Sequence, residues 1–220
     1  MKLTENIWQV GGDGISAAGD GAVYLVVFGS QAALIDAGCG HGHAKIVASI
    51  KQVISLAVPI KYLFLTHCHF DHSGGADGLR REFRCRIVAH EQDASFLEAG
   101  DSEVTAASWY QAKLTRFRID HKIKGDTESF TIGNGAITAL HAPGHSPGSM
   151  VLVTQSAGKK VLFGQDVHGP LHPTLLSNQD DYVASLKMLA GLEADMLCEG
   201  HLGVYEGKDK VRRFIESFIA

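Results

Sequence analysis

Short apolar runs alternate with glycine-rich or charged segments along most of the chain. Runs such as Ala22–Phe28 are rich in β-branched and aromatic residues and are bounded by glycine, which predicts strands. In His43–Leu56 the apolar residues recur at helical spacing, which predicts a helix that ends before Pro59. The run Tyr62–Thr66 is almost continuously apolar, which is typical of a strand buried on both faces.

The same patterns predict strands and helices in alternating groups. Strands are expected at Ile7–Val10, Ala22–Phe28, Ala32–Asp36, Tyr62–Thr66, Arg86–Ala89, Ile137–His141, Met150–Thr154, Val161–Phe163 and Met196–Cys198. Helices are expected at His43–Leu56, Gly75–Phe83, Glu91–Ala99, Glu103–Leu114, Asp180–Leu192 and Lys208–Ile219. A charged connection is expected over Arg116–Glu128.

The order of these elements is strands, helices, strands and helices, so each half of the chain repeats the same general plan. An α/β architecture with two sheets face to face and helices outside, a four-layer αββα sandwich, fits this order best. No linker-like segment separates the halves, and we predict a single domain over residues 1–220.

Composition narrows the classes of function. Of the 220 residues, 45% are hydrophobic and 20% are charged, as in an ordinary globular protein. The net charge of −4 and the scattered basic residues favour neither nucleic acid nor a membrane as a partner. The first residues contain no signal-peptide core, and the four cysteines form no CxxC pair. We therefore expect a cytoplasmic protein with reduced thiols that acts on a small molecule.

The segment Thr66–Gly75 carries the strongest chemical signal. Two histidines, His67 and His69, are two residues apart at the end of a predicted strand, so their side chains point to the same side. Asp71 and His72 follow as the chain turns towards a helix. Such closely spaced imidazole and carboxylate groups directly after a buried strand indicate a site for two adjacent metal ions.

Three later residues occupy the same kind of position, at the end of a strand and beside a glycine. His145 follows Pro143-Gly144 after one strand, Asp166 follows a second strand, and His201 follows Gly200 after a third. Each of them alone is a weak signal. Their shared position favours one site built on rigid elements.

The order of these motifs resembles the metallo-β-lactamase superfamily over essentially the whole chain. The resemblance implies the metallo-β-lactamase fold and a dinuclear metal site. It implies that His67, His69 and His145 bind one metal, that Asp71, His72 and His201 bind the other, and that Asp166 bridges both. Asp36 matches a structural aspartate of this superfamily, with a turn-capping role as the alternative.

The resemblance also implies a hydrolase in which two metal ions activate water for attack on an ester-type bond, such as that of a thioester or a lactone. Asp71 is expected to be the catalytic carboxylate, because it can bind its metal and orient the water. Imidazole and carboxylate donors suit two Zn²⁺ ions, and also iron or manganese. Cys68 lies between two ligand histidines, and we expect its side chain to face away from them.

Further residues are weaker candidates for contact with the substrate. His168 and His172 lie in the segment after Asp166, and Tyr205 follows His201. Each is as well explained by an exposed loop position. The stretch Glu91–Leu114 is expected to cover the site, and its aromatic residues can line a pocket or pack internally.

Among branches of the superfamily, the pattern is most similar to glyoxalase II and to lactonases. The stretch from Val167 to Tyr182 has no lysine or arginine to bind a glutathione carboxylate, so a generic thioester, lactone or ester is the expected substrate. An alternative is a mononuclear iron oxidoreductase similar to the persulfide dioxygenases. A phosphodiesterase or nuclease is less favoured because of the acidic charge. The oligomeric state, monomer or homodimer, stays open.

Overall fold

The computed structural model describes residues 1–55, 57–164 and 166–219. Within them the chain forms two six-stranded sheets. The first sheet contains, in spatial order, β1 (Ile7–Gly11), β2 (Val23–Phe28), β3 (Gln31–Ile35), β4 (Ile60–Phe64), β5 (Arg86–His90) and β6 (His121–Ile123). The second contains β12 (Val204–Glu206), β11 (Met196–Cys198), β10 (Lys159–Phe163), β9 (Met150–Ser156), β8 (Gly135–His141) and β7 (Thr127–Ile132).

Helices cover the outer face of each sheet, which confirms the αββα sandwich. The helices are α1 (His43–Val53), α2 (Phe70–Ser73), α3 (Ala76–Phe83), α4 (Glu91–Ala99), α5 (Gln179–Gly191) and α6 (Lys208–Glu216). The first sheet shares an apolar core with α1, α3 and α4, and the second sheet shares one with α5 and α6. Among the described residues, no helix has both the length and the apolar character needed to cross a membrane.

Strand β2 shows why the apolar runs are continuous. Val23 and Leu25 face the helix layer, whereas Tyr24 and Val26 face the second sheet. Successive side chains of a strand point to opposite faces, and both faces of this sheet are covered. All four residues are therefore buried, and no polar position interrupts the run.

The register of the parallel strands places the ends of several strands side by side. Ile35 at the end of β3 pairs with Phe64 at the end of β4, and Phe163 of β10 pairs with Cys198 of β11. The segments that follow these strands therefore leave each sheet at the same end of its strands. The histidine- and aspartate-bearing loops all begin there.

Two parts of the predicted secondary structure are wrong. The expected helix Glu103–Leu114 contains only a single 3₁₀ turn at Ala107–Tyr110, because Ala106 and Gln111 on either side adopt left-handed backbone conformations. The expected connection Arg116–Glu128 contains β6 and the start of β7. Strand β7 alternates exposed polar residues with buried Phe130 and Ile132, which is a half-buried edge strand and not a continuous apolar run.

Three predicted positions lie outside the described residues: Leu56 at the end of the first predicted helix, Gln165 beside Asp166, and Ala220 at the end of the predicted domain. The remaining predicted elements agree with the structure to within a few residues at their ends. The assignment of residues 1–220 to one domain stays a prediction.

A stacked pair of histidines joins the two sheets away from the predicted site. The rings of His90, at the end of β5, and His141, at the end of β8, have centroids 3.9 Å apart and planes within 7° of parallel. His90 is only 4% exposed, and its Nδ1 has no hydrogen-bond partner within the described part of the chain. Burial, and then the charge of His141, lowers the pKa of His90 to about 4, while Glu91 and Asp126 act in the opposite direction.

This low pKa predicts a loss of stability in mild acid. The unfolded chain protonates His90 near pH 6.5 and the folded chain only near pH 4, so the free energy of unfolding falls as the pH falls through this window. Between pH 8 and pH 5 we expect the protein to lose on the order of 2 kcal/mol more than a His90→Phe variant, which keeps the stacked ring without the charge. Urea denaturation of both proteins at the two pH values measures the difference, and equal losses would contradict the prediction.

Candidate metal centre

The structure brings seven predicted side chains together where loops leave the two sheets. The loop after β4 and helix α2 contribute four of them, and loops of the second sheet contribute three. They form two groups that share one aspartate, and within each group the donor atoms lie within 4.8 Å of one another. The first group is His67, His69, His145 and Asp166, and the second is Asp71, His72, Asp166 and His201.

The first group consists of three histidines around one carboxylate oxygen. The ring centroids of His67, His69 and His145 are 4.4 to 4.8 Å apart. Oδ2 of Asp166 lies 3.3 Å from Nε2 of His145 and 3.7 Å from Nε2 of His67. All four residues are at most 5% exposed. The group is therefore closed to bulk water.

The second group uses the other oxygen of the same carboxylate. Oδ1 of Asp166 lies 3.1 Å from Nε2 of His72 and 3.4 Å from Nε2 of His201. Oδ2 of Asp71 lies 3.1 Å from Nε2 of His201. The side chain of His201 is 27% exposed, whereas His72 is fully buried. Solvent therefore reaches this group from the side of His201.

Hydrogen bonds at Nδ1, on the other side of the ring from Nε2, fix the orientation of three of these imidazoles. His67 Nδ1 lies 3.0 Å from the hydroxyl of Thr66, which donates to Oδ2 of Asp36 at 2.8 Å. His72 Nδ1 donates to the same oxygen at 2.7 Å. His145 Nδ1 donates to the carbonyl of Pro170 at 2.9 Å. In each case Nε2 is left to face the shared aspartate, which is how ligand histidines are oriented in metal sites.

Asp36 itself is fully buried and has a left-handed backbone conformation at the end of β3. Besides His72 and the Thr66 hydroxyl, it accepts the backbone N–H of Thr66 at 2.8 Å. Its contacts are thus with residues that carry or precede the candidate ligands. This placement agrees with the structural aspartate that the sequence suggested.

Burial and neighbouring charges give the histidines of the site different charge states. Burial, and then the neighbouring histidines, lowers the pKa of His67 well below its ordinary value, and burial with His145 lowers the pKa of His69 to about 3. These two rings are neutral at pH 7, which is the form that binds metal. For His72, burial lowers the pKa, but Asp166, Asp71 and Asp36 together raise it well above the usual value.

The pKa values of the two aspartates of the site, Asp71 and Asp166, are both lowered overall. Burial raises the pKa of both Asp71 and Asp166, yet the positive charge of His72, followed by the proximity of other histidines, gives a net lowering of the pKa in each case. Both carboxylates are therefore ionised at neutral pH. Without a cation, the centre therefore combines the neutral rings of His67 and His69 with a positively charged His72 and two negative carboxylates.

These donors fit divalent cations. Nε2 of His67, His69 and His145 is buried in each case and has no hydrogen-bond partner among the residues that the structure describes. A buried polar atom without a partner costs about 1–3 kcal/mol. Three such nitrogens converging beside one carboxylate are explained by a bound cation, and nitrogen and oxygen donors without thiolate suit zinc, iron or manganese.

The weaker candidates differ in their surroundings. Nδ1 of His168 donates to the fully buried carboxylate of Glu199 at 2.7 Å, and its ring lies 5.5 Å from that of His201. His172 is exposed and makes an edge contact with Trp109, with ring centroids 5.2 Å apart. Tyr205 instead stacks on Phe214 of α6, with centroids 4.0 Å apart. Cys68 is fully buried in the core between the first sheet and its helices, as expected.

Glu199 was not recognised in the sequence, and Tyr110 was recognised only as one of the aromatic residues that can line a pocket or pack internally. Glu199 lies between Cys198 and Gly200, and its Oε2 accepts the backbone N–H groups of His201 and Leu202 at 2.7 and 2.8 Å. Its place directly before a Gly-His pair was the available signal. Tyr110 lies beside Phe70 with ring centroids 5.8 Å apart, and burial and then Asp71 raise its pKa. No sequence signal connects Tyr110 with Asp71, because a non-helical loop brings them together.

Gly200 leaves room for the shared carboxylate. A Cβ atom at this position would lie 2.4 Å from Oδ1 of Asp166 and 3.0 Å from Cε1 of His72. The side chains of both groups are therefore packed directly against this backbone.

We expect Gly200→Ala to displace Asp166 and to weaken metal binding about 10–100-fold, the usual cost of disturbing groups that orient ligands. Metal content after dialysis against a chelator measures the effect. Gly191→Ala is the matched control, because a Cβ there meets no atom within 4 Å. Full metal retention by the Gly200→Ala variant would show that the Asp166 carboxylate can move without weakening metal binding.

A sequence profile of the metallo-beta-lactamase superfamily matches residues 17–201. The chain therefore belongs to the metallo-beta-lactamase superfamily. It is a metallo-hydrolase of that superfamily, whose members bind divalent metal ions.

Curated relatives carry hydrolase names. The chain is 30% identical to the probable metallo-hydrolase YqgX of Bacillus subtilis over 81% of this chain and 83% of the relative. It is 30% identical to the acyl-coenzyme A thioesterase MBLAC2 of Homo sapiens over 70% of this chain and 60% of the relative. It is 31% identical to the hydroxyacylglutathione hydrolase GloC of Haemophilus influenzae over 62% of this chain and 61% of the relative. The last match confirms the similarity to glyoxalase II.

Solved structures confirm the fold. The subclass B3 metallo-beta-lactamase BJP-1 of Bradyrhizobium japonicum superimposes with a TM-score of 0.78 at 23% identity, over 99% of this chain and 89% of BJP-1. At this identity the likeness concerns the fold alone.

Proposed function

We propose that this protein uses two divalent cations, Zn²⁺ first among the candidates, to hydrolyse an ester-type bond in a small molecule that carries an apolar acyl group. A thioester is the preferred substrate, with lactones and simple esters as related ones. The observation that carries the proposal is the pair of donor groups on either side of Asp166, with one carboxylate oxygen facing each group. A site for one metal ion would not need a carboxylate that two donor groups share.

The proposed roles follow the two groups. His67, His69 and His145 hold one cation, Asp71, His72 and His201 hold the other, and Asp166 contacts both. When bound, such cations lower the pKa of water to about 7 and polarise the oxygen of the scissile bond.

Asp71 is the proposed catalytic carboxylate. Its ionised form is favoured by His72, and its Oδ2 is 3.1 Å from the solvent-accessible side chain of His201. At the open side of the centre it can hold the attacking water by accepting a hydrogen bond. His201 and Asp71 thereby define the face from which the substrate enters.

Exposed apolar side chains belong to segments that adjoin the candidate centre. Trp109 and Tyr110 come from the loop after α4, and they are 48% and 39% exposed. Leu202 follows the candidate ligand His201 and is 50% exposed, and Leu176 is 47% exposed next to Ser177, which donates to the carbonyl of His145 at 2.8 Å. We call these four residues the apolar rim. Exposed apolar clusters commonly mark binding surfaces, and this one suits the hydrocarbon part of an acyl group.

The relatives support a thioester. The name of MBLAC2 describes an acyl-coenzyme A thioesterase, and that of GloC a hydroxyacylglutathione hydrolase. Both bonds are thioesters. The segment from Val167 to Tyr182 contains no lysine or arginine, which favours recognition of the acyl part over recognition of a glutathione carboxylate.

Metal analysis and a substrate panel test the proposal. Protein purified without added metal should contain two divalent ions per chain, and it should hydrolyse acyl thioesters faster than a lactone, a β-lactam or a phosphodiester. One iron per chain together with oxygen uptake would support the alternative oxidoreductase and overturn the hydrolase. A zinc-loaded protein that hydrolyses no member of the panel would overturn the proposed bond type.

The apolar rim predicts a dependence on acyl length. Trp109→Ala is expected to raise KM for a long-chain acyl thioester about tenfold, because burial of an aromatic side chain against hydrocarbon contributes roughly 1.5–3 kcal/mol. For an acetyl thioester KM should change little, and kcat should be retained for both. Met188→Ala, at another exposed apolar residue on α5, is the control. An equal effect of Trp109→Ala on long and short substrates would contradict the role of the rim.

A further inference from the structure

A carboxylate outside the two donor groups lies between their loops. Asp93 is on α4 and is 1% exposed. Its Oδ2 accepts the backbone N–H of Cys68 at 2.8 Å and the hydroxyl of Ser146 at 2.6 Å. Its Oδ1 accepts the backbone N–H of Gly148 at 2.7 Å. None of these donors belongs to α4.

The three donors belong to the segments that carry the first group of histidines. Cys68 lies between His67 and His69, in the loop after β4 of the first sheet. Ser146 directly follows His145, in the turn between β8 and β9 of the second sheet. One carboxylate therefore ties together two loops that come from different sheets.

We propose that Asp93 is a positioning residue that sets the spacing of His67, His69 and His145, and thereby the affinity of this group for its cation. The inference rests on the proposed metal-binding role of the group. Asp93 does not touch the cation or the substrate in this proposal. It acts through the backbone on either side of the histidines.

The local packing is built around this contact. A Cβ atom on Gly148 would lie 2.5 Å from the backbone nitrogen of Asp93 and 2.8 Å from its Cγ, so the turn approaches α4 more closely than any other residue type permits. The helix has a separate attachment to the first sheet through Ala94 and Leu97, which are fully buried. The carboxylate is therefore not needed to dock α4, and its hydrogen bonds serve the two loops.

The second group has a comparable carboxylate, which supplies a matched comparison. Asp36 is buried to the same degree and contacts Thr66 and His72. Asp36 contacts His72 of the second group directly and His67 of the first group through the Thr66 hydroxyl, while Asp93 contacts the neighbours of the first group. Loss of Asp36 should therefore affect both cations, and loss of Asp93 mainly the cation of the first group.

The test measures zinc affinity, not activity. Zinc binding to the full-length protein is titrated against a chromophoric chelator in the wild type, in Asp93→Asn, and in a His201→Ala background that leaves only the first group complete. We expect Asp93→Asn to weaken zinc binding about 10–100-fold in both backgrounds, the range for groups that orient ligands. Asp36→Asn in the otherwise native chain should weaken both cations, because Asp36 supports His72 directly and His67 through Thr66.

Asn keeps one acceptor oxygen and the shape of Asp, so the fold should persist, and the melting temperature of the metal-free protein reports whether it does. Ser146→Ala removes a single hydrogen bond and serves as a milder second variant, with an expected loss of a few-fold. Native zinc affinity in both variants would overturn the positioning role, whether or not the melting temperature falls. Failure of the wild type to bind zinc tightly would instead overturn the proposed metal-binding function, and this inference with it.

Discussion

Replacement of Asp166 by alanine is expected to reduce the metal content to one ion or fewer per chain and to lower kcat/KM by at least about 100-fold, since losing groups that only orient ligands already costs 10–100-fold. The two oxygens of this carboxylate face different groups of donors, Oδ2 facing His145 and Oδ1 facing His72. On the proposed assignment, both cations lose a ligand when this one side chain is removed. The change also deletes one of two negative charges that balance the cations.

Elemental analysis and steady-state kinetics on the same preparation check this expectation. Asp180→Ala, at an exposed aspartate in the first turn of α5, is the control and should keep both metal and activity. Two ions per chain in the Asp166 variant would show that the carboxylate is not shared. Retained activity with only one ion would show that a single cation is sufficient for the reaction.

Removal of metal by a strong chelator should abolish activity and lower the melting temperature by about 10 °C. A ligand present at 1,000 times its Kd stabilises the folded state by about 4 kcal/mol, and 1 kcal/mol corresponds to roughly 2–4 °C for a chain of this size. Without cations, the buried Nε2 atoms of His67, His69 and His145 have no hydrogen-bond partner in residues 1–55, 57–164 and 166–219, and Asp71 and Asp166 keep their charges in a buried setting.

Differential scanning calorimetry before and after chelation measures the shift, and added zinc should reverse it. The Asp166→Ala variant should show a smaller shift with the same chelator, because it begins with less metal. An unchanged melting temperature in the wild type under saturating chelator would mean that the buried donors are satisfied without a cation.

The fold was predictable from sequence wherever burial is strong. Strand β2 is buried on both faces and gives a continuous apolar run, and α1 shows a clear helical period, with Ile46 and Ile50 buried. The loop around Ala107–Tyr110 is different, because its composition suits a helix while its backbone turns at Ala106 and Gln111. Tertiary contacts there override local preference, and a single sequence does not contain them.

The candidate site was predictable because its motifs stand at strand ends. His67 and His69 adjoin a recognisable strand, and His145, Asp166 and His201 each stand near a glycine after another. The sequence could not show that β10 and β11 are parallel neighbours, which is what brings Asp166 and His201 together.

The carboxylates that bind the ligand-bearing loops leave a weaker signal in the sequence. Asp93 and Glu199 bind backbone N–H groups and hydroxyls of residues distant in sequence or placed by a turn, so neither belongs to a recognisable spacing. Their roles become visible only through distances.

The unequal exposure of the two donor groups has a kinetic consequence. The first group is enclosed, while the second opens to water at His201. On the proposed assignment, a cation in the second group would exchange with solvent on the side of His201, whereas a cation in the first group would be enclosed. The two positions would then lose their cations at different rates, and half-loaded molecules would retain the cation of the first group.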